Sequence, residues 1–116
     1  MAHWHVLNQE AQLEAIGEAS FSRPQLIFKH STRCGISAEV LERLDLAGSR
    51  LTEAMDVHYL DLLAFRPVSN RVAAQWSVPH QSPQAILLVE GRVAYQASHF
   101  SIMPEEILRR AAAPRT

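Results

Sequence analysis

Gln25-Leu26-Ile27-Phe28-Lys29-His30-Ser31-Thr32-Arg33-Cys34-Gly35-Ile36-Ser37 holds the key to this chain. Gln25 to His30 reads as a buried strand with a polar exit. From Gly35 to about Leu46, Ile36, Val40, Leu41 and Leu44 recur at helical spacing, with Glu39, Glu42 and Arg43 on other faces. Cys34, the sole cysteine, falls where the strand hands over to the helix. The first-turn N–H groups, those of Gly35, Ile36 and Ser37, lack intrahelical acceptors and carry partial positive charge, and Arg33 adds a full charge beside them. The thiolate, not the thiol, is the nucleophile, and this position favours the thiolate. A lone cysteine is most often a small buried hydrophobe. Position argues otherwise here: Cys34 is expected as a nucleophile, with Arg33, Gly35, Ile36 and Ser37 stabilising its anion.

Outward from this junction, strands and helices alternate. Trp4 to Leu7 is a short strand candidate, and Asn8 to Ser20 follows as a helix with Leu13 and Ile16 on one face. Ser22-Arg23-Pro24 breaks that pattern before the central run. Beyond the Cys34 helix, which Gly48 is read as ending, Met55 to Leu62 is rich in strand formers. Arg66-Pro67 then opens a helix carrying Val68, Val72, Ala73 and Trp76. A polar loop, Ser77 to Gln84, leads into Ala85-Ile86-Leu87-Leu88-Val89, whose composition suits a central strand. Glu90-Gly91 turns the chain into Arg92 to Ala97 as an antiparallel hairpin, and Pro104 opens a last helix with Ile107, Leu108 and Ala111 inward. Trp4 and Trp76 lie on patterned segments and read as core.

The order is βαβαβαββα. Crossover connections are right-handed, so the first half is expected as a parallel sheet covered by helices, completed as a mixed sheet by the hairpin. This is an α/β, thioredoxin-like plan in a single domain spanning residues 1–116. In open sheets of this kind the site lies beyond the carboxyl ends of the parallel strands, where Cys34 falls.

Composition narrows the function. The chain has 116 residues, 47% hydrophobic and 20% charged, which suits one core, and its formal net charge of -1 supplies no global cationic field for nucleic acid or an anionic membrane. The start lacks a charged segment followed by an apolar stretch, and no run of about eighteen apolar residues occurs. One cysteine makes no internal disulfide. A cytoplasmic protein with neither nucleic acid nor membrane as partner is the expectation.

Cys34-Gly35-Ile36-Ser37 has dithiol redox spacing with serine in the second cysteine's place. Serine cannot resolve a mixed disulfide, so release needs a thiol from outside and the chemistry is monothiol exchange. Ser37 is a candidate donor to the thiolate through its hydroxyl or its N–H. Pro83, just before the fourth strand, is expected to follow a cis bond from Ser82, leaving backbone groups free for an extended substrate; Pro79 is expected trans. Ser82, Pro83, His80 and His99 are the candidate substrate-binding residues. Lys29, His30, Arg66 and Arg71 are further cations or donors for the mouth. The six histidines are dispersed, none at zinc-site spacing with Cys34, so no metal site and no tightly bound cofactor are expected.

Phe28-Lys29-His30-Ser31-Thr32-Arg33-Cys34 with Ile36-Ser37, Arg66-Pro67-Val68-Ser69-Asn70, His80-Gln81-Ser82-Pro83-Gln84 and Ala97-Ser98-His99 together resemble the YtxJ family of bacterial monothiol bacilliredoxins, over about Trp4 to Leu108. The resemblance implies a thioredoxin-like fold and removal of bacillithiol, a low-molecular-weight thiol co-substrate, from oxidised client proteins through a mixed disulfide on Cys34. Gly35 departs from the proline that often follows the cysteine in that family. Two other readings stand beside this one. Cys34-Gly35-Ile36-Ser37 is similar to the Cys-Gly-Phe-Ser of monothiol glutaredoxins that carry iron–sulfur clusters, although the Gly91 region lacks their paired-glycine and aspartate segment. The third is a non-catalytic thioredoxin-like binding module.

Overall fold

All six residues of β2 (Gln25–His30) are buried, which follows from its place at the centre of a sheet covered on both faces. The computed structural model describes residues 3–113. Its elements are β1 (His5–Val6), α1 (Ala11–Ala19), β2, α2 (Gly35–Leu46), α3 (Gly48–Ala54), β3 (Asp56–Asp61), α4 (Arg66–Trp76), β4 (Gln84–Val89), β5 (Arg92–Ser98), a 3-10 turn at His99–Ser101 and α5 (Pro104–Ala112). The five strands stand in the order β1-β3-β2-β4-β5. β1, β3 and β2 run parallel, while β4 is antiparallel to β2 and β5 to β4. The mixed sheet with a closing hairpin is the expected arrangement.

Alternation along β2 divides the core. Leu26 and Phe28 face one way, into a cluster with Val40 and Leu44 of α2, Leu51 of α3 and Ile107 of α5. Ile27 faces the other way, among Leu13 and Ile16 of α1 and Val68 and Val72 of α4. By the same two-residue period Lys29 belongs to the α1/α4 face and His30 to the α2 face. That parity decides where both polar side chains go.

Two details differ from the sequence reading and one agrees. The first helix starts at Ala11 rather than Asn8, because the Gln12 side chain accepts from the N–H groups of Asn8 and Gln9, both at 2.8 Å, and so caps the turn. Gly48 does not end helical structure. α2 stops at Leu46, the chain bends at Ala47, and α3 begins on Gly48, fully burying Leu51. Burial of that leucine outweighs the low helix propensity of glycine. The β4–β5 turn is as tight as expected, with Glu90 and Gly91 both at positive φ (53° and 79°). A Cβ on Gly91 would lie 2.6 Å from the tip of the exposed Phe21 ring, which would have to move aside, and the positive φ itself favours glycine there.

Among the described residues no helix is long and apolar enough to cross a membrane. Phe28 is completely buried in the α2-side cluster. Phe28→Ala is expected to lower the unfolding free energy by about 3–5 kcal/mol through lost transfer energy and a residual cavity, measured by urea denaturation. A loss below about 1 kcal/mol would contradict the placement of the core.

Candidate active site

The register of β2, β4 and β5 brings the candidate residues into one row. Lys29 pairs with Gln84, and Gln84 with Ser98. One position further toward the carboxyl end of β2 lie His30, Pro83 and His99, and the His99 N–H donates to the Pro83 carbonyl at 3.1 Å. Cys34 follows four residues after His30, as the N-cap of α2, in extended backbone (φ -114°, ψ 121°). The Ser82–Pro83 bond is cis, and it is the only cis bond among the described residues, so Pro79 is trans as expected. Cys34 and Pro83 therefore share one end of the sheet.

Cys34 is half-buried and unbridged. The Ala38 N–H donates to the Cys34 carbonyl at 3.0 Å, opening the intrahelical ladder. The N–H groups of Gly35, Ile36 and Ser37 have no hydrogen-bond acceptor among the described residues, the arrangement that the macrodipole argument requires. Arg33 and Gly35 are exposed and Ile36 is 37% exposed, so the surface around the thiol is open.

The Ser37 hydroxyl is engaged elsewhere. It is fully buried, accepts from the Ser31 N–H at 3.0 Å and meets His30 Nδ1 at 2.7 Å. Burial pushes the His30 pKa down, against the opposing pull of the Asp61 charge and a backbone bond at Ser37. A neutral His30 carrying its proton on Nε2 takes the hydroxyl hydrogen on Nδ1. Of the two donors foreseen at Ser37, the hydroxyl locks the strand–helix junction and the backbone N–H is the one left at the helix end.

Lys29, expected at the mouth, lies fully buried beneath it. Strand parity turns it toward α4, where Nζ donates to the Ser69 carbonyl at 3.1 Å and sits 3.3 Å from His80 Nδ1; Ser69 Oγ is 3.4 Å from the same nitrogen. Burial, then the Arg66 charge, lowers the Lys29 pKa to about 8. The His80 pKa is lowered by burial and by the charges of Lys29 and Arg66. His80 itself is exposed, on the loop that leads to Pro83. The buried Gln84 side chain holds that loop, donating to the Pro79 carbonyl at 3.0 Å and accepting from the Gln81 N–H at 3.3 Å. The Ser82 backbone has no hydrogen-bond partner among the described residues, so both its N–H and its carbonyl are unpaired. Arg71 does not reach the mouth. It lines a cavity with Glu14, Phe21 and Gly91, and Gly91, in the β4–β5 turn, marks the opposite end of the sheet.

A cavity of about 410 Å³ adjoins the Cys34 loop, lined by Thr32, Arg33, Asp61, Leu63 and Ala64. Asp61 is paired in register with His30 across the parallel β2–β3 ladder. Sequence reasoning missed it, although it ends a parallel strand on the side where such sheets carry their sites. Among the described residues no group of three His, Cys, Asp or Glu side chains is placed to hold a metal ion.

Comparison with known proteins identifies the fold and the family. A solved structure described as a candidate oxidoreductase with a thioredoxin fold superposes with a TM-score of 0.80 at 27% identity, covering 97% of this chain and 96% of the other. Fasciola hepatica thioredoxin (TM-score 0.72, 18% identity, 91% and 98% covered) and Malassezia sympodialis thioredoxin, Mala s 13 (0.74, 12%, 94% and 91%), share the fold. The family model for the monothiol bacilliredoxin BrxC matches residues 5–107. The chain belongs to the monothiol bacilliredoxin family. It is a thiol–disulfide oxidoreductase with a thioredoxin fold.

Two polar locks in this bacilliredoxin can be tested by stability. Ser37→Ala strands the Ser31 N–H and His30 Nδ1 in a buried setting, with an expected loss of about 1–3 kcal/mol in urea denaturation; an unchanged midpoint would show that these bonds carry no weight. Lys29 titrates near pH 8 in the folded protein and near about 10.4 when unfolded. Between those values the unfolded chain binds more protons, so stability rises with pH, and the cost of charging buried Lys29 is fully present below about pH 8. The unfolding free energy of wild type minus that of Lys29→Met should therefore shift in favour of wild type as pH climbs through about 8 to 10. A pH-independent difference would mean that Lys29 is not desolvated.

Proposed function

We propose that Cys34 is the nucleophile of monothiol exchange and that the protein removes a low-molecular-weight thiol, bacillithiol by family, from mixed disulfides on oxidised client proteins. The observation that carries this reading is the single cysteine of an oxidoreductase family member, seated as the N-cap of α2 and half-exposed, at the same end of the sheet as Pro83. The Cys34 thiolate attacks the small-thiol sulfur of the client disulfide. A new S–S bond forms to Cys34, and the client cysteine leaves as a thiolate that takes its proton from solvent. A second small-molecule thiolate then attacks the Cys34 adduct, leaving as a symmetrical disulfide and regenerating Cys34. Over the two steps one disulfide is consumed and one is formed: the client cysteine is released as a thiol, one free small thiol is taken up, and no other oxidant or reductant is needed.

Serine at position 37 is why the second step needs an external thiol. The Ser82 backbone groups, unpaired among the described residues, and exposed His80 and His99 are the candidate contacts for the client segment or the thiol. Arg33 supplies positive charge for an anionic sulfur or for the carboxylates of the thiol.

Intact-mass analysis tests the reading. Reduced protein is mixed with a client carrying bacillithiol, glutathione or coenzyme A in disulfide linkage. The expected result is transfer of the bacillithiol adduct onto the protein, abolished in Cys34→Ser. Transfer of none of the three would overturn the enzymatic assignment to Cys34, and preferential transfer of glutathione or coenzyme A would overturn the choice of thiol.

A further inference from the structure

The cavity beside Cys34 carries two opposite charges that do not neutralise each other. Arg33 and Asp61 both line it, yet the ion pairs among the described residues are Arg23–Asp56, Arg50–Glu105 and the two from Glu106 to Arg109 and Arg110. Arg33 has no hydrogen bond or ring contact among the described residues. Asp61 is half-buried, and one of its oxygens, Oδ1, accepts from the Ala64 N–H at 3.2 Å while Oδ2 is unpaired among the described residues. Two complementary charges lining one space without bridging leave room for a guest that pairs with both.

The remaining lining fits a small guest. Leu63, 39% exposed, and Ala64 offer apolar surface for a methylene stem, and Thr32 adds a hydroxyl. A volume of about 410 Å³ lies within the small-molecule range of about 300–1,000 Å³. Thr32 and Arg33 immediately precede Cys34 in the chain, so the cavity borders the loop that carries the thiol.

We infer that this cavity seats the small-thiol half of the Cys34 mixed disulfide and selects a thiol bearing both a carboxylate and an ammonium group, the carboxylate facing Arg33 and the ammonium facing Asp61. The inference deepens the proposed function and rests on it. It assigns a specificity role to Asp61 and locates the carboxylate contact of Arg33 in this cavity.

Three symmetrical disulfides with different charges test it: cystine with zwitterionic ends, cystamine with cationic ends and 3,3′-dithiodipropionate with anionic ends. The readout is the rate of Cys34 adduct formation by intact mass. The ratio of the dithiodipropionate rate to the cystamine rate cancels any change in the reactivity of Cys34 itself. Asp61→Asn should raise that ratio and Arg33→Gln should lower it, each about two- to fivefold, the range of a partly exposed ion pair. Both variants should slow cystine. Glu39→Gln, an exposed α2 charge outside the cavity, should leave the ratio unchanged. Shifts in the same direction, no shift, or an equal shift in Glu39→Gln would overturn the inference while leaving exchange at Cys34 intact. Absence of adduct from all three disulfides in wild type would bring down the proposed function and this inference together.

Discussion

The antiparallel pairing of β4 with β2 is the constraint on which everything else depends. Because Lys29 faces Gln84 in that register, Pro83 lies beside His30, and the loop after His30 carries Cys34 within reach of the same end of the sheet. Side chains alternate along each strand, so a slip by one residue would turn Leu26, Phe28, Ala85 and Leu87 out of their cluster and Lys29 out of its pocket. The row at the sheet end is thus fixed by the same burial that makes the core.

Two buried polar groups then hold the loops on either side of that row. On the α2 face, His30 and Ser37 tie the end of β2 to the first turn of the helix. On the α4 face, Lys29 reaches between Ser69 and His80 and supports the loop before Pro83. Adjacent residues of one strand serve opposite faces. The thiol sits at their junction, with N–H groups at the helix end and Ser82 backbone groups on the neighbouring loop that are unpaired among the described residues. Such an arrangement leaves the groups free for a transient partner while the scaffold behind them is satisfied.

Much of this was legible in the residues. Apolar runs and helical spacing located β2, α2, α4, β4 and the hairpin, and their alternation carried the topology. The strand–helix position of Cys34 and the proline before β4 could be read directly. What escaped was set by contacts between distant segments. α3 was hidden because glycine reads as a stop, and only burial of Leu51 against the sheet reveals the helix. Lys29 looked like a polar exit because its charge masks its parity with Ile27. The partner of the Ser37 hydroxyl lies seven residues away across a turn. Asp61 gave no local signal, since its place beside His30 and the Thr32–Arg33 loop comes from the β2–β3 register.

The central claim is that the disulfide passes through Cys34. The most direct measurement follows the reaction of reduced protein with a client bearing a single bacillithiol adduct, recording the masses of both proteins over time. The account predicts that the client loses the adduct as Cys34 gains it, mole for mole, before any free thiol is added. Client reduction with no adduct on the protein, or the same time course in Cys34→Ser, would contradict it.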